Sequence, residues 1–173
     1  SVTLSTANVI DGGEGQVENG RIQLFGPATG DGAHPVVASV EVTGVRQPLI
    51  VLSPEKEGGS LIYQSKAIEI GPGTFPMGSF KLLNFSLHPV RATFGGVVIE
   101  IGAGADHLLK PGVPPGESVA VTIEHRSGDE WQLLSSARWA SRTDRRTLVC
   151  IQWDQAGKRM VVKSVPLREV PGS

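Results

Sequence analysis

The sequence predicts an all-β protein, an antiparallel β-sandwich of immunoglobulin-like or similar type, and three observations carry that expectation. Its 173 residues hold 22 glycines and 12 prolines but only 5% aromatics, the composition of many short strands joined by turns. Several segments alternate apolar and polar side chains, while no stretch of ten residues shows a convincing amphipathic helix period. The third observation is a hairpin around Gly95-Gly96 that can be read residue by residue.

Two adjacent glycines accept φ > 0 at both central positions, as a primed two-residue hairpin turn requires. Counting outward pairs Phe94 with Val97, Ala92 with Ile99 and Val90 with Ile101, six apolar side chains on one face. The other face pairs Thr93 with Val98 and Arg91 with Glu100, the latter an opposite-charge pair on the solvent side. A slip of one residue would expose the apolar set, so the register is well specified. Just upstream, Phe80 and Leu82 share one parity, and Leu83, Phe85 and Leu87 share the other. Either a bulge near Asn84 shifts the phase or the strand is central and buried on both faces. Asn84 then needs backbone partners for its amide, and His88-Pro89 ends the run.

From the beginning of the chain, Val2-Thr-Leu4 and Arg21–Phe25 read as strands, with Asp11–Gly15 and Gly26–Gly32 as turns or mobile loops. Val36–Val42 and Gln47–Leu52 are strand-like, Pro54–Gly59 reads as a turn, and Leu61–Ile70 returns. Pro72-Gly-Thr-Phe-Pro76 links this region to the hairpin stretch. The expected organisation is an N-terminal β lobe over 1–77 with a partly flexible start and a C-terminal β lobe over 78–173. The two lobes read as closely packed or as one continuous domain. Downstream, Val119, Val121 and Ile123 alternate with Ala120, Thr122 and Glu124, a half-buried strand. Trp131, Leu133, Ser135, Ala137 and Trp139 share one parity. Thr147–Trp153, a turn at Asp154–Gly157, and Arg159–Val165 form the last hairpin.

The net charge of -1 gives no global field to draw nucleic acid or an anionic membrane. It is uneven, since residues 1–77 carry 4 basic and 8 acidic groups and residues 78–173 carry 12 and 9. Cys150 is the only cysteine, which excludes an intrachain disulfide and a thiolate metal cluster. No apolar run approaches the roughly 18 residues of a membrane-spanning helix. The sequence shows no signal peptide, and its start at Ser1 without Met reads as a processed or trimmed form.

Gly78-Ser-Phe-Lys-Leu-Leu-Asn-Phe-Ser-Leu-His-Pro-Val90, followed by the Gly-Gly hairpin, resembles a group of secreted bacterial proteins of unknown function. Further shared motifs are Trp131-Gln-Leu-Leu134, Arg138-Trp139 and Arg146-Thr-Leu-Val149, in the same order over residues 36–165. The resemblance implies a β-sandwich and an extracytoplasmic location, periplasmic or secreted, and no particular activity.

Chemistry-bearing motifs are few. His34, His88, His107 and His125 lie in four separate segments, none with a partner at metal-ligand spacing, and each reads most simply as structural or solvated. No nucleophile elbow is present, and Cys150 within Leu148–Ile151 reads as a small core hydrophobe. Gly71-Pro-Gly73 and Gly102-Ala-Gly104 lack a following helix, so they are turns and not phosphate loops. No catalytic residue, metal or cofactor is expected. One segment has the residue types to bind an anion or glycan, namely Arg138, Trp139, Arg142, Arg145 and Arg146, because guanidinium forks match planar oxyanions and stack on aromatic faces. Its blander reading is a solvated loop in which Asp144 pairs locally and Trp139 caps the core.

The functional expectation is a non-catalytic binding or structural module whose partner is another protein or a surface polymer, not nucleic acid. The alternatives are a self-assembling or complex subunit using exposed strand edges, and a hydrolase accessory domain binding anionic or glycan ligands.

Overall fold

The computed structural model describes residues 15–57 and 60–168. The expected strand at Val2-Thr-Leu4, most of the turn at Asp11–Gly15 and the expected flexible start lie outside the described residues. Residues 15–74 form one compact unit and residues 75–168 another, divided between Thr74 and Phe75 inside the proline-bracketed connection. Among the described residues all twelve elements are strands.

The second unit is a β-sandwich of two four-stranded sheets. One contains β5 (Phe80–Asn84), β8 (Asp106–Leu109), β11 (Arg146–Asp154) and β12 (Arg159–Leu167), in the order β12-β11-β5-β8. The other contains β6 (Val90–Phe94), β7 (Val97–Ile101), β9 (Ser118–Ser127) and β10 (Glu130–Ala140), in the order β10-β9-β6-β7. Their inner faces share a core that includes Leu82, Val90, Ala92, Ile123 and Ile151, each at most 1% exposed. Each large side chain buried this way contributes roughly 1.5–3 kcal/mol relative to exposure. Phe80 of one sheet stacks on Trp139 of the other at 4.9 Å and 26°, and Phe94 meets both rings at 6.0 Å.

The β6–β7 hairpin has the register counted from Gly95-Gly96, from Phe94 opposite Val97 to Val90 opposite Ile101. Both glycines have positive φ, 58° and 91°, and a Cβ on Gly95 would stand 2.9 Å from Val119. The turn therefore needs glycine twice over at that position. The expected Arg91–Glu100 pair of opposite charges stands in register across this hairpin. The Arg91 guanidinium itself hydrogen-bonds to Glu124 on the other flanking strand, Nε and Nη2 donating at 2.8 and 2.9 Å. Stacking of that guanidinium on the Trp131 ring, 4.6 Å from its centre, fixes the side chain toward β9 and β10.

Upstream of the hairpin, the alternative of a central strand holds. β5 lies between β11 and β8, and Leu82 and Leu83 on its opposite faces are both buried. The strand ends at Asn84, and Leu87 is 82% exposed. The buried Asn84 amide donates to the carbonyls of His88, Ile101 and Gly102, while its oxygen accepts from Ser86 N and Oγ. This side chain closes the β5–β6 connection and ties it to the end of β7.

Three expectations change. The sandwich is not wholly antiparallel, because β5 and β11 pair in parallel, Thr147 opposite Phe80 through Ile151 opposite Asn84. The shared parity from Trp131 to Trp139 is broken by a bulge at Leu134, where Leu133 faces Glu124 and Ser135 faces Ile123. One extra residue reverses the face that each later side chain takes. Trp131 therefore lies under Arg91 on the outer face, while Trp139 enters the core. Third, the turn read over Pro54–Gly59 is mostly strand.

In the first unit, β3 (Pro48–Glu57) and β4 (Ser60–Glu69) form a long antiparallel ribbon, with Pro54 opposite Tyr63 and Glu57 opposite Ser60. Pro54 is tolerated because a two-stranded ribbon gives each strand one open side, where a missing N–H costs nothing. The second ribbon pairs β1 (Arg21–Phe25) with β2 (Val36–Glu41). Ala38, Val40, Val42 and Ile68 are buried in this unit, and Ser65 Oγ donates to the Ser39 carbonyl.

Candidate functional site

The arginine-rich segment runs from the end of β10 to the start of β11. Its backbone is fastened by Gly78 N donating to Arg145 O at 2.7 Å and Thr147 N donating to Ser79 O at 2.9 Å. The five candidate residues do not converge. Trp139 stands in the core stack with Phe80 and Phe94. Arg138 donates to the hydroxyl and carbonyl oxygens of Ser118 at 2.9 and 2.7 Å. Arg146 lies over the fully buried Phe75 ring at 5.7 Å and donates to the Phe75 carbonyl at 2.7 Å.

Only Arg142 and Arg145 are brought together, and Asp144 stands between them. Arg145 Nη2 donates to one carboxylate oxygen at 2.9 Å and Arg142 Nε to the other at 3.3 Å. Arg145 first, then Arg142, holds the Asp144 carboxyl well below the usual carboxylate range. An incoming anion would meet a carboxylate already bound to both.

The fold brings His88 and His125 within 6.3 Å, ring centre to ring centre, edge to face, which their separation in sequence did not show. His125 Nδ1 is buried with no hydrogen-bond partner. His34 lies in the other unit, and His107 is exposed on β8. Among the described residues no group of three or more His, Cys, Asp or Glu could hold a metal ion. Cys150 is buried, and burial pushes its thiol up to about 11, far from the thiolate a nucleophile needs.

The strand edges differ from one another. A sheet edge invites pairing with another chain unless charge, proline, a bulge or shortness blunts it. β10 carries the Leu134 bulge and Arg138. β12 carries Pro166 and Lys163. β8 is four residues long, and its Asp106 pairs with Lys81 of β5. β7 has none of these devices except a single acidic residue. Its sequence Val-Val-Ile-Glu-Ile is strongly β-forming, and Val97 and Val98 are 63% and 57% exposed.

The direction of the β7 backbone groups follows from the register. In a two-residue hairpin the residues flanking the turn form a hydrogen-bonded pair, and such pairs then alternate. Val97, Ile99 and Ile101 therefore bond to β6, while Val98 and Glu100 point their N–H and C=O groups away from it. The other side of β6 agrees, since Gly95 N donates to Ala120 O and Arg126 N to Pro89 O, so the odd-numbered residues of β6 serve β9. Among the described residues β7 pairs with β6 alone.

Among the described residues the geometry thus defines an all-β chain whose second unit is a sandwich with a lightly guarded edge at β7. No family model and no curated protein matches the chain.

Proposed function

We propose that the protein is a non-catalytic binding module that takes up an extended polypeptide segment along β7. The observation that carries this reading is the outward-facing backbone of Val98 and Glu100 beside two exposed valines, on a sandwich edge that carries no bulge, proline or basic residue. Each peptide group offered there gains a hydrogen bond on strand addition, and Val97 and Val98 gain apolar cover. A location outside the cytoplasm goes with this reading through the resemblance over residues 36–165.

Amide hydrogen exchange on the free protein tests it. The N–H groups of Val98 and Glu100 exchange fast, and those of Val97, Ile99 and Ile101 exchange at least about 100-fold more slowly, as ladder bonds in a stable core do. Uniform protection along β7 would mean that the edge is already covered and would refute the reading.

A further inference from the structure

Resting on that reading, we infer that the segment taken up by β7 is basic, with a lysine or arginine facing Glu100 on the outer side of the sheet. Three charged side chains stand side by side across this sheet. Arg91 of β6 is opposite Glu124 of β9 on one side and Glu100 of β7 on the other. The signs alternate, but the bonding does not. Arg91 donates from Nε and Nη2 to Glu124, at 2.8 and 2.9 Å, and its plane rests on Trp131. Glu100 keeps only a charge-to-charge attraction to Arg91 and is an exposed carboxylate at the end of the row, on the strand that among the described residues ends the sheet. An added strand places one residue opposite Glu100, where an opposite charge is favourable and a like charge unfavourable. The same strand places a side chain opposite Val98 on that face, and others opposite Val97 and Ile99 on the inner face. β-branched apolar residues fit those places.

A second copy of this chain is a poorer occupant. Antiparallel pairing of two β7 strands about Ile99 sets each Glu100 opposite Val98 of the partner copy, supplies no base to either carboxylate, and brings the two glutamates onto neighbouring diagonal positions. Pairing about Glu100 itself would oppose the two carboxylates directly.

Two end-capped seven-residue peptides of alternating valine and threonine, one with lysine and one with glutamate at the centre, distinguish the outcomes. They are titrated into the full chain at low ionic strength, where surface charge is least screened, with amide exchange and chemical shift as readouts. The lysine peptide protects the Val98 and Glu100 amides and binds at least about fivefold tighter than its glutamate twin. Glu100→Gln removes that preference and Glu100→Lys reverses it. Because the side chain is exposed, both variants keep the far-ultraviolet spectrum of the parent, and Glu100→Lys, which sets a lysine opposite Arg91, lowers the melting temperature by a few degrees at most. Equal protection by both peptides would overturn the basic-partner inference and leave strand addition standing. Absence of protection at Val98 and Glu100 with either peptide would overturn strand addition itself. Concentration-dependent dimerisation that protects those amides without peptide would assign the edge to a second copy.

Discussion

The arginine segment and strand β7 lie in the same compact unit and use their polar groups in opposite ways. The arginine segment is dense in binding chemistry, yet its guanidinium groups are engaged with Asp144, Ser118 and Phe75. β7 has one charged residue, yet two of its five residues turn their backbone donors and acceptors outward. Residue type shows what a side chain could hold, whereas openness depends on what the fold has already placed beside it. A strand edge keeps its capacity because water holds its outward groups and an added strand can replace that water.

The most severe way to break the comparison is to loosen the end of β7 from within. Asn84→Leu removes the amide that holds the carbonyls of His88, Ile101 and Gly102, and chemical denaturation registers a loss of about 2–3 kcal/mol. A loss below about 1 kcal/mol would show that Asn84 is not what fixes the strand. Next comes the turn. Gly95→Ala costs about 1–3 kcal/mol from positive φ, with the close approach to Val119 added, and it destabilises more than Gly96→Ala, where no atom lies within 4 Å of the new Cβ. An equal effect at the two glycines would remove Val119 from the explanation.

Acidification separates the two regions more gently. Hydrogen bonding from Arg91 lowers the Glu124 carboxyl below its ordinary value of 4.5, and the arginine pair lowers Asp144. A lowered carboxylate contributes stability that is complete above the unfolded pKa and lost as pH falls through the folded one. Urea midpoints of the parent therefore fall between pH 5 and more acidic conditions, and Glu124→Gln flattens that fall. The smallest expected effect is at the arginine segment itself. Asp144→Asn releases Arg142 and Arg145, and added sulfate then raises the melting temperature of the variant more than that of the parent, by less than about 3 °C. An identical response would mean that Asp144 is not what occupies the two arginines.

Much of the sandwich was legible because it is local. The Gly95-Gly96 turn, the hairpin register and the alternation along Val119–Glu124 each depend on residues a few positions apart. The arginine segment was legible only as a set of residue types. Trp139 reads as a neighbour of Arg138, yet alternation along a strand sends it inward to Phe80, and the Leu134 bulge that sets its face has no mark in the sequence. Arg91 was legible as one half of a cross-strand pair, but not which of two flanking carboxylates it would bind. The β9 partner lies 33 residues away, and Trp131 fixes the choice.

By itself the sequence determined that the chain is built of strands, where its best hairpin turns, which face of that hairpin is apolar, and that Asn84 must find backbone partners. Those properties follow from side-chain period and backbone sterics, which are written residue by residue. Only the tertiary structure decided that β5 pairs in parallel with β11, that Trp131 and Trp139 take opposite faces, and that Asp144 occupies the arginines. It also decided that β7 ends its sheet among the described residues. Whether a strand is central or at an edge depends on which distant segments come to lie beside it, and no local pattern contains that.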